Sequence, residues 1–229
     1  MGAQTSAAPE FFSTEPLAAD HAGVTELFAV LAYGELSAFY RLAEEAKQAP
    51  SLHGRIGVAK MAAAELAHFE TLEAALTERG TDAEAAMVQY RGALDSYHAS
   101  TDPSTWLESM VKFYVGDGLA ADFYTEIAGA LPTEVSDVVR DVLAETGHSQ
   151  FVVDEVRSAV AASRSERDRL TLWGRRLLGE AITQAQFVMA QRDELAELVL
   201  AATGDLNGIA TLFDRMQERH AARMAELGL

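Results

Sequence analysis

The stretch Ala64-Glu65-Leu66-Ala67-His68-Phe69 stands inside a long segment whose apolar residues recur at helical spacing. On a helix, residues three apart share a face, so Glu65 and His68 present a carboxylate and an imidazole side by side. The same spacing returns further along the chain as Glu145-Thr146-Gly147-His148. One such motif carries little weight: 22 glutamates and six histidines in 229 residues give about 0.6 matches by chance. Two exceed that expectation, and their positions add more.

Working outward, Pro50-Ser51 separates a helix predicted over about 22–48 from a second over about 52–79, which Gly80 closes. The first carries Leu27, Leu31, Leu36, Phe39 and Leu42 at helical spacing. Glu35 and Glu65 stand equally far from Pro50 along the chain, one on each side of the turn. At about 1.5 Å per residue the chain returns to the same level, so Glu35 faces Glu65. Asp117 and Glu145 flank Pro132 in nearly the same way. Tyr33-Gly34-Glu35 and Val115-Gly116-Asp117 repeat the local context, which suggests a pseudo-two-fold pair of hairpins.

A shorter helix is predicted over 82–98, and Asp102-Pro103 is read as the N-cap and first turn of a helix to about 130. The next runs over about 134–162, followed by segments over 165–202 and 205–227, parted by Gly204. With 42 alanines, five prolines and no period-two alternation, the expected class is all-α. The expected organisation is a tail over 1–20, a four-helix bundle over 21–163 and additional helices over 164–229 packed on it. Phe11 and Phe12 of the tail are expected to pack onto the domain.

Four carboxylates and two histidines then converge at one level of the bundle. Without metal, that many acids in a helical core repel one another and bear a large desolvation cost. With two divalent ions they become bridging and terminal ligands. Oxygen and imidazole donors without thiolate suit iron, with manganese as the alternative. Asp122 and Glu126 compete with Asp117 on the same helix, but Asp122 stands more than a turn off level, and Asp117 is preferred. Asp141 is read as a solvated charge rather than a residue orienting a ligand. His21, His53, His98 and His220 fall outside the repeat and are read as surface residues. Zero cysteines exclude disulfides, zinc ribbons, iron–sulfur clusters and cysteine nucleophiles.

The paired motifs over about 22–160 resemble the ferritin-like superfamily of non-haem di-iron proteins. Within it the chain is similar to the family of the tRNA methylthio-isopentenyl-adenosine hydroxylase, because Asp117, Asp122 and Tyr124 fall into the register of that family's third helix. The resemblance implies iron ligands at Glu35, Glu65, His68, Asp117, Glu145 and His148. It departs from the family in offering Asp117 where a glutamate is usual. It also implies an oxygen-activating hydroxylase acting on a prenylated tRNA base.

The charge bears on that substrate. Thirty-five acidic and 18 basic residues give a net −17, which repels phosphate backbones and disfavours tRNA, leaving a small hydrophobic metabolite open. The five arginines between Arg164 and Arg176 form the one basic concentration and are read as a salt-bridged helix face, ahead of an RNA or redox-partner contact. Phe39, Phe69, Tyr114, Phe123, Tyr124 and Phe151 cluster near the motif levels, as core or as a pocket wall. No Lys or Arg precedes Arg41, and no apolar stretch is read as a membrane span, so a cytoplasmic protein is expected. Hydroxylation requires O2 and an external electron donor, a ferredoxin or flavoprotein, because no nucleotide-binding motif is present. The alternative function is a ferroxidase or iron-binding protein without an organic substrate; a homo-oligomer is compatible with either.

Overall fold

The alanine-rich, proline-poor chain folds into helices wherever its apolar residues recur every third or fourth position. The computed structural model describes residues 17–144 and 149–229, so Phe11 and Phe12 lie outside the described residues. Among the described residues there are nine helices and no strand: α1 (Ala22–Gln48), α2 (Leu52–Glu78), α3 (Ala83–Ser100), α4 (Trp106–Ala128), α5 (Thr133–Val142), α6 (Ser149–Ala162), α7 (Arg164–Gln191), α8 (Asp193–Thr203) and α9 (Leu206–Leu227). The all-α expectation holds.

Local chemistry sets most boundaries. Ser51 Oγ accepts from Gly54 N at 3.0 Å to open α2. Gly80 and Gly204, at φ +71° and +86°, take the positive-φ backbone that glycine allows, just past the ends of α2 and α8. Three boundaries differ from expectation. Helix α4 starts late, because Thr105 rather than Asp102 caps it: Thr105 Oγ1 accepts from Glu108 N at 3.3 Å, and Glu108 Oε2 accepts from Ser104 N at 2.7 Å. The segment over 134–162 is interrupted: α5 stops at Val142, Leu143 and Ala144 leave the helix, and α6 is described over Ser149–Ala162. The segment over 165–202 also divides. At Arg192 the backbone extends to φ −131°, ψ 93°, while its guanidinium grips Glu26 at 2.7 and 3.0 Å.

Helices α1 and α2 form the most extensive pair, an antiparallel hairpin, and α1 also packs on α3 and α8. Helix α4 lies between the broken return α5–α6 and α7, and α9 crosses α4 and α8. Leu27 and Leu31 of α1, Leu72 and Leu76 of α2, and Val111 and Ile127 of α4 are essentially inaccessible, and α7 to α9 add Leu177, Leu198 and Leu212. Each such side chain contributes roughly 1.5–3 kcal/mol by leaving water. Contrary to the reading of the sequence, α1 is long and apolar enough by length and composition to cross a membrane; half of that window is buried inside the protein, facing four other helices.

Candidate metal centre

The first hairpin brings its acids together as the level arithmetic requires. Glu35 from α1 and Glu65 and His68 from α2 offer ligand atoms that all lie within 4.8 Å of one another. His68 Nδ1 stands 3.4 Å from Glu35 Oε2 and 3.8 Å from Glu65 Oε2. All three side chains are mostly shielded from solvent, at 11%, 13% and 19% exposure for Glu35, Glu65 and His68.

Burial and crowding perturb all three. Burial, followed by the hydrogen bond and charge of Glu65 and the charge of Asp117, pushes the Glu35 carboxyl well above its ordinary value. Burial would raise Glu65 too, but hydrogen bonds to Glu35 and His68 outweigh it and hold Glu65 low. Those two acids push the His68 imidazole up to about 10, Glu35 first. A proton on His68 and one between the acids would relieve this crowding, and a divalent ion would supply a stronger positive charge at the same point.

Asp117 lines the cavity onto which Glu35 and Glu65 open, although it is itself exposed. Glu145 and His148 lie outside the described residues. The rivals of Asp117 have other partners. Buried Asp122 pairs with Arg223 and, at 3.5 Å, with Arg219; Glu126 pairs with Arg219 and Arg215 at 2.8 and 2.9 Å. Asp141 is exposed.

The cavity has a volume of about 270 Å3 and runs between α1, α3, α4 and α7. Tyr114, Phe123 and Tyr124 form part of its wall, whereas Phe39 and Phe69 pack against the core. Phe151 also packs against the core and meets the His53 ring at 5.3 Å. The histidines set aside in the sequence are not all surface residues. His220 is buried on α9, and His98 lines the cavity, where burial and then the charges of Arg41 and Lys112 push its imidazole down to about 3. His21 Nδ1 accepts from Gly23 N at 3.0 Å and caps α1. Sequence reasoning also missed Arg41, Lys112 and Gln184 of the cavity wall; the available signal was a charged residue, Arg41, within the apolar run of α1 between Phe39 and Leu42. Of the five arginines between 164 and 176, Arg169 pairs with Glu166 and Glu108 and Arg164 with Asp168, whereas Arg167 and Arg176 donate to the carbonyls of Val160 and Ser100.

No curated protein matches the chain. A family model described as the ferritin-like domain of actinomycetes matches residues 18–202, from the residues just before α1 to the end of α8. A hairpin that aligns one acid on α1 with a Glu-x-x-His on α2, inside an all-helical match of that length, leaves no ambiguity of family: the chain belongs to the actinomycete ferritin-like domain family.

Proposed function

We propose that the chain is a non-haem di-iron oxidoreductase that uses O2 to hydroxylate a C–H bond of a small, largely apolar molecule. The observation that carries this reading is the opening of the Glu35 and Glu65 carboxylates onto a cavity walled mainly by apolar side chains. Two carboxylates and an imidazole, crowded and without a thiolate, suit iron or manganese. The second ion would draw on Asp117, Glu145 and His148, as the repeated Glu-x-x-His implies.

When bound, a redox-active metal pair supplies the chemistry that reduces O2. The balanced reaction takes one O2, two electrons and two protons, converts C–H to C–OH and releases one water. The electrons come from a separate ferredoxin or flavoprotein. The chain's own residues exclude water and place protons. Val30, Leu31, Leu119 and Phe123 form a dry wall. Tyr124, raised by burial and then by the Glu35 charge, keeps its phenol proton at neutral pH.

The likeness to the tRNA hydroxylases implies a prenylated base. The net −17 favours a free metabolite over a polynucleotide. Metal analysis after anaerobic Fe(II) loading tests the core of the reading. Close to two irons per chain are expected, lost on Glu35→Ala or His68→Ala. Wild-type protein that retains no metal would overturn it. Fe(II)-dependent O2 uptake that no organic compound stimulates would instead assign the ferroxidase reading.

A further inference from the structure

The end of the cavity away from α8 is basic, in a chain of net −17. Arg41 from α1, His98 from α3 and Lys112 from α4 all line it, and each of Arg41 and Lys112 is close enough to depress the protonation of His98. Helix α1 runs antiparallel to α4, so Arg41, six positions past Glu35, meets Lys112, five positions before Asp117.

These groups are poorly matched within the protein. Arg41 Nε and His98 Nδ1 are buried and have no hydrogen-bond partner. Among the described residues no carboxylate pairs with Arg41; its guanidinium lies over the Tyr40 ring, 5.6 Å from the centroid. Lys112 Nζ donates to Thr101 O at 2.7 Å and stands 5.8 Å from the Tyr97 ring centre, with Asp102 and Glu45 as its more distant acidic neighbours. Gln184 from α7 adds another buried, unpartnered donor, its Nε2, to the same cavity. Buried donors and cations left unmatched cost free energy, and an arginine fork is the side chain best suited to a carboxylate.

The rest of the wall is different. From Arg41 back to Val30 the cavity follows α1 for about 16 Å, past Glu35, and its far end meets Val188, Met189 and Leu195. A channel of that length, lined largely by apolar side chains, suits an elongated apolar group.

We propose that this cavity binds a small linear monocarboxylate, its carboxylate on Arg41 beside His98 and Lys112 and its alkyl chain running past Glu35 toward Leu195. Such a ligand satisfies the buried donors at one end and fills the apolar channel at the other. Its passage beside Glu35 makes it the substrate class of the oxidation; that role rests on the proposed function, whereas the binding does not.

Calorimetric titration of the full chain with octanoate, octanamide and inorganic phosphate tests the assignment. It is run on metal-loaded and chelator-treated protein, with metal content measured on each sample. Octanoate is expected to bind at least tenfold more tightly than either comparator in both states. Arg41→Met is expected to cost octanoate tenfold or more while leaving octanamide affinity and metal stoichiometry unchanged. Octanamide or phosphate binding as tightly as octanoate would overturn the proposal, and this comparison on wild type decides the matter even if Arg41→Met does not fold. Metal loading without octanoate binding would sink the ligand and spare the metal centre. Octanoate binding to protein that never retains metal would do the reverse.

Discussion

Helix α4 faces two acidic regions of the bundle that meet the same problem in different ways. Toward α9, Asp122 and Glu126 sit one turn apart and are met by Arg215, Arg219 and Arg223, themselves spaced one turn apart. The fit is close: Arg223 lies over Gly118, where any Cβ would collide with its guanidinium. Toward α1 and α2, Glu35 and Glu65 gather around a single imidazole, and among the described residues no arginine pairs with either. The first set answers its acids inside the fold, three guanidiniums against two carboxylates, and leaves Arg215 Nε and Arg223 Nη1 buried without a hydrogen-bond partner. The second is short of positive charge, which is the condition a metal ion answers.

Breaking the closed set has the largest expected effect. Arg223→Met removes the partner that shields buried Asp122 and is expected to cost about 3–5 kcal/mol in urea unfolding. Adding Asp122→Asn to that variant is expected to recover most of the loss, since the buried carboxylate that lost Arg223 is then gone. A loss well below 1 kcal/mol would mean that Arg219 alone satisfies Asp122.

The open set is expected to respond to metal instead. Fe(II) or Mn(II) at a hundredfold over its dissociation constant is expected to stabilise wild type by about 2.7 kcal/mol. Arg223→Met is expected to show the same increment, and Glu35→Gln none. Without metal, Glu35→Gln is expected to raise stability by roughly 1 kcal/mol, a usual single-site scale, because it removes a carboxyl that burial and Glu65 oppose. A destabilised, still metal-responsive Glu35→Gln protein would place Glu35 with the structural ion pairs.

The contrast also shows what a sequence can and cannot disclose. Glu35, Glu65 and His68 were legible because helix rise and one proline turn put them at one level, and both are local facts. Asp122 is tied to Arg219 and Arg223 from far along the chain, and nothing near Asp122 announces it, although arginines at 215, 219 and 223 do mark one stripe of α9. The break at Arg192 was hidden for the same reason, since its cause is the distant Glu26 on α1. The late start of α4 was a local signal passed over: Thr105-Trp106-Leu107-Glu108 is a capping pattern that competes with Asp102-Pro103. His98 looked ordinary because a lone histidine on a short helix gives no hint that Arg41 and Lys112 converge on it.

That convergence gives the smallest and most specific test. Burial, then Arg41 and Lys112, push His98 down from its ordinary 6.5 to about 3 in the folded chain, so the unfolded chain takes up the proton first as pH falls. The neutral-His98 contribution is therefore present above about pH 6.5 and is lost progressively toward pH 3. Between pH 7 and 6 it is expected to lower stability by roughly half to one kcal/mol, and His98→Gln should remove that slope, as urea unfolding at each pH would show. The Arg223→Met background should leave the slope in place, because the α9 ion pairs do not face His98. An anion on Arg41 has the opposite influence on the imidazole: by offsetting the two cations it favours the protonated ring. Octanoate is accordingly expected to move the His98 NMR titration upward, toward 6.5, while octanamide leaves it in place. A His98 that titrates near 6.5 in the free protein would mean that the basic end of the cavity is open to water, and the distinction between the closed and open sets would then rest on the acids alone.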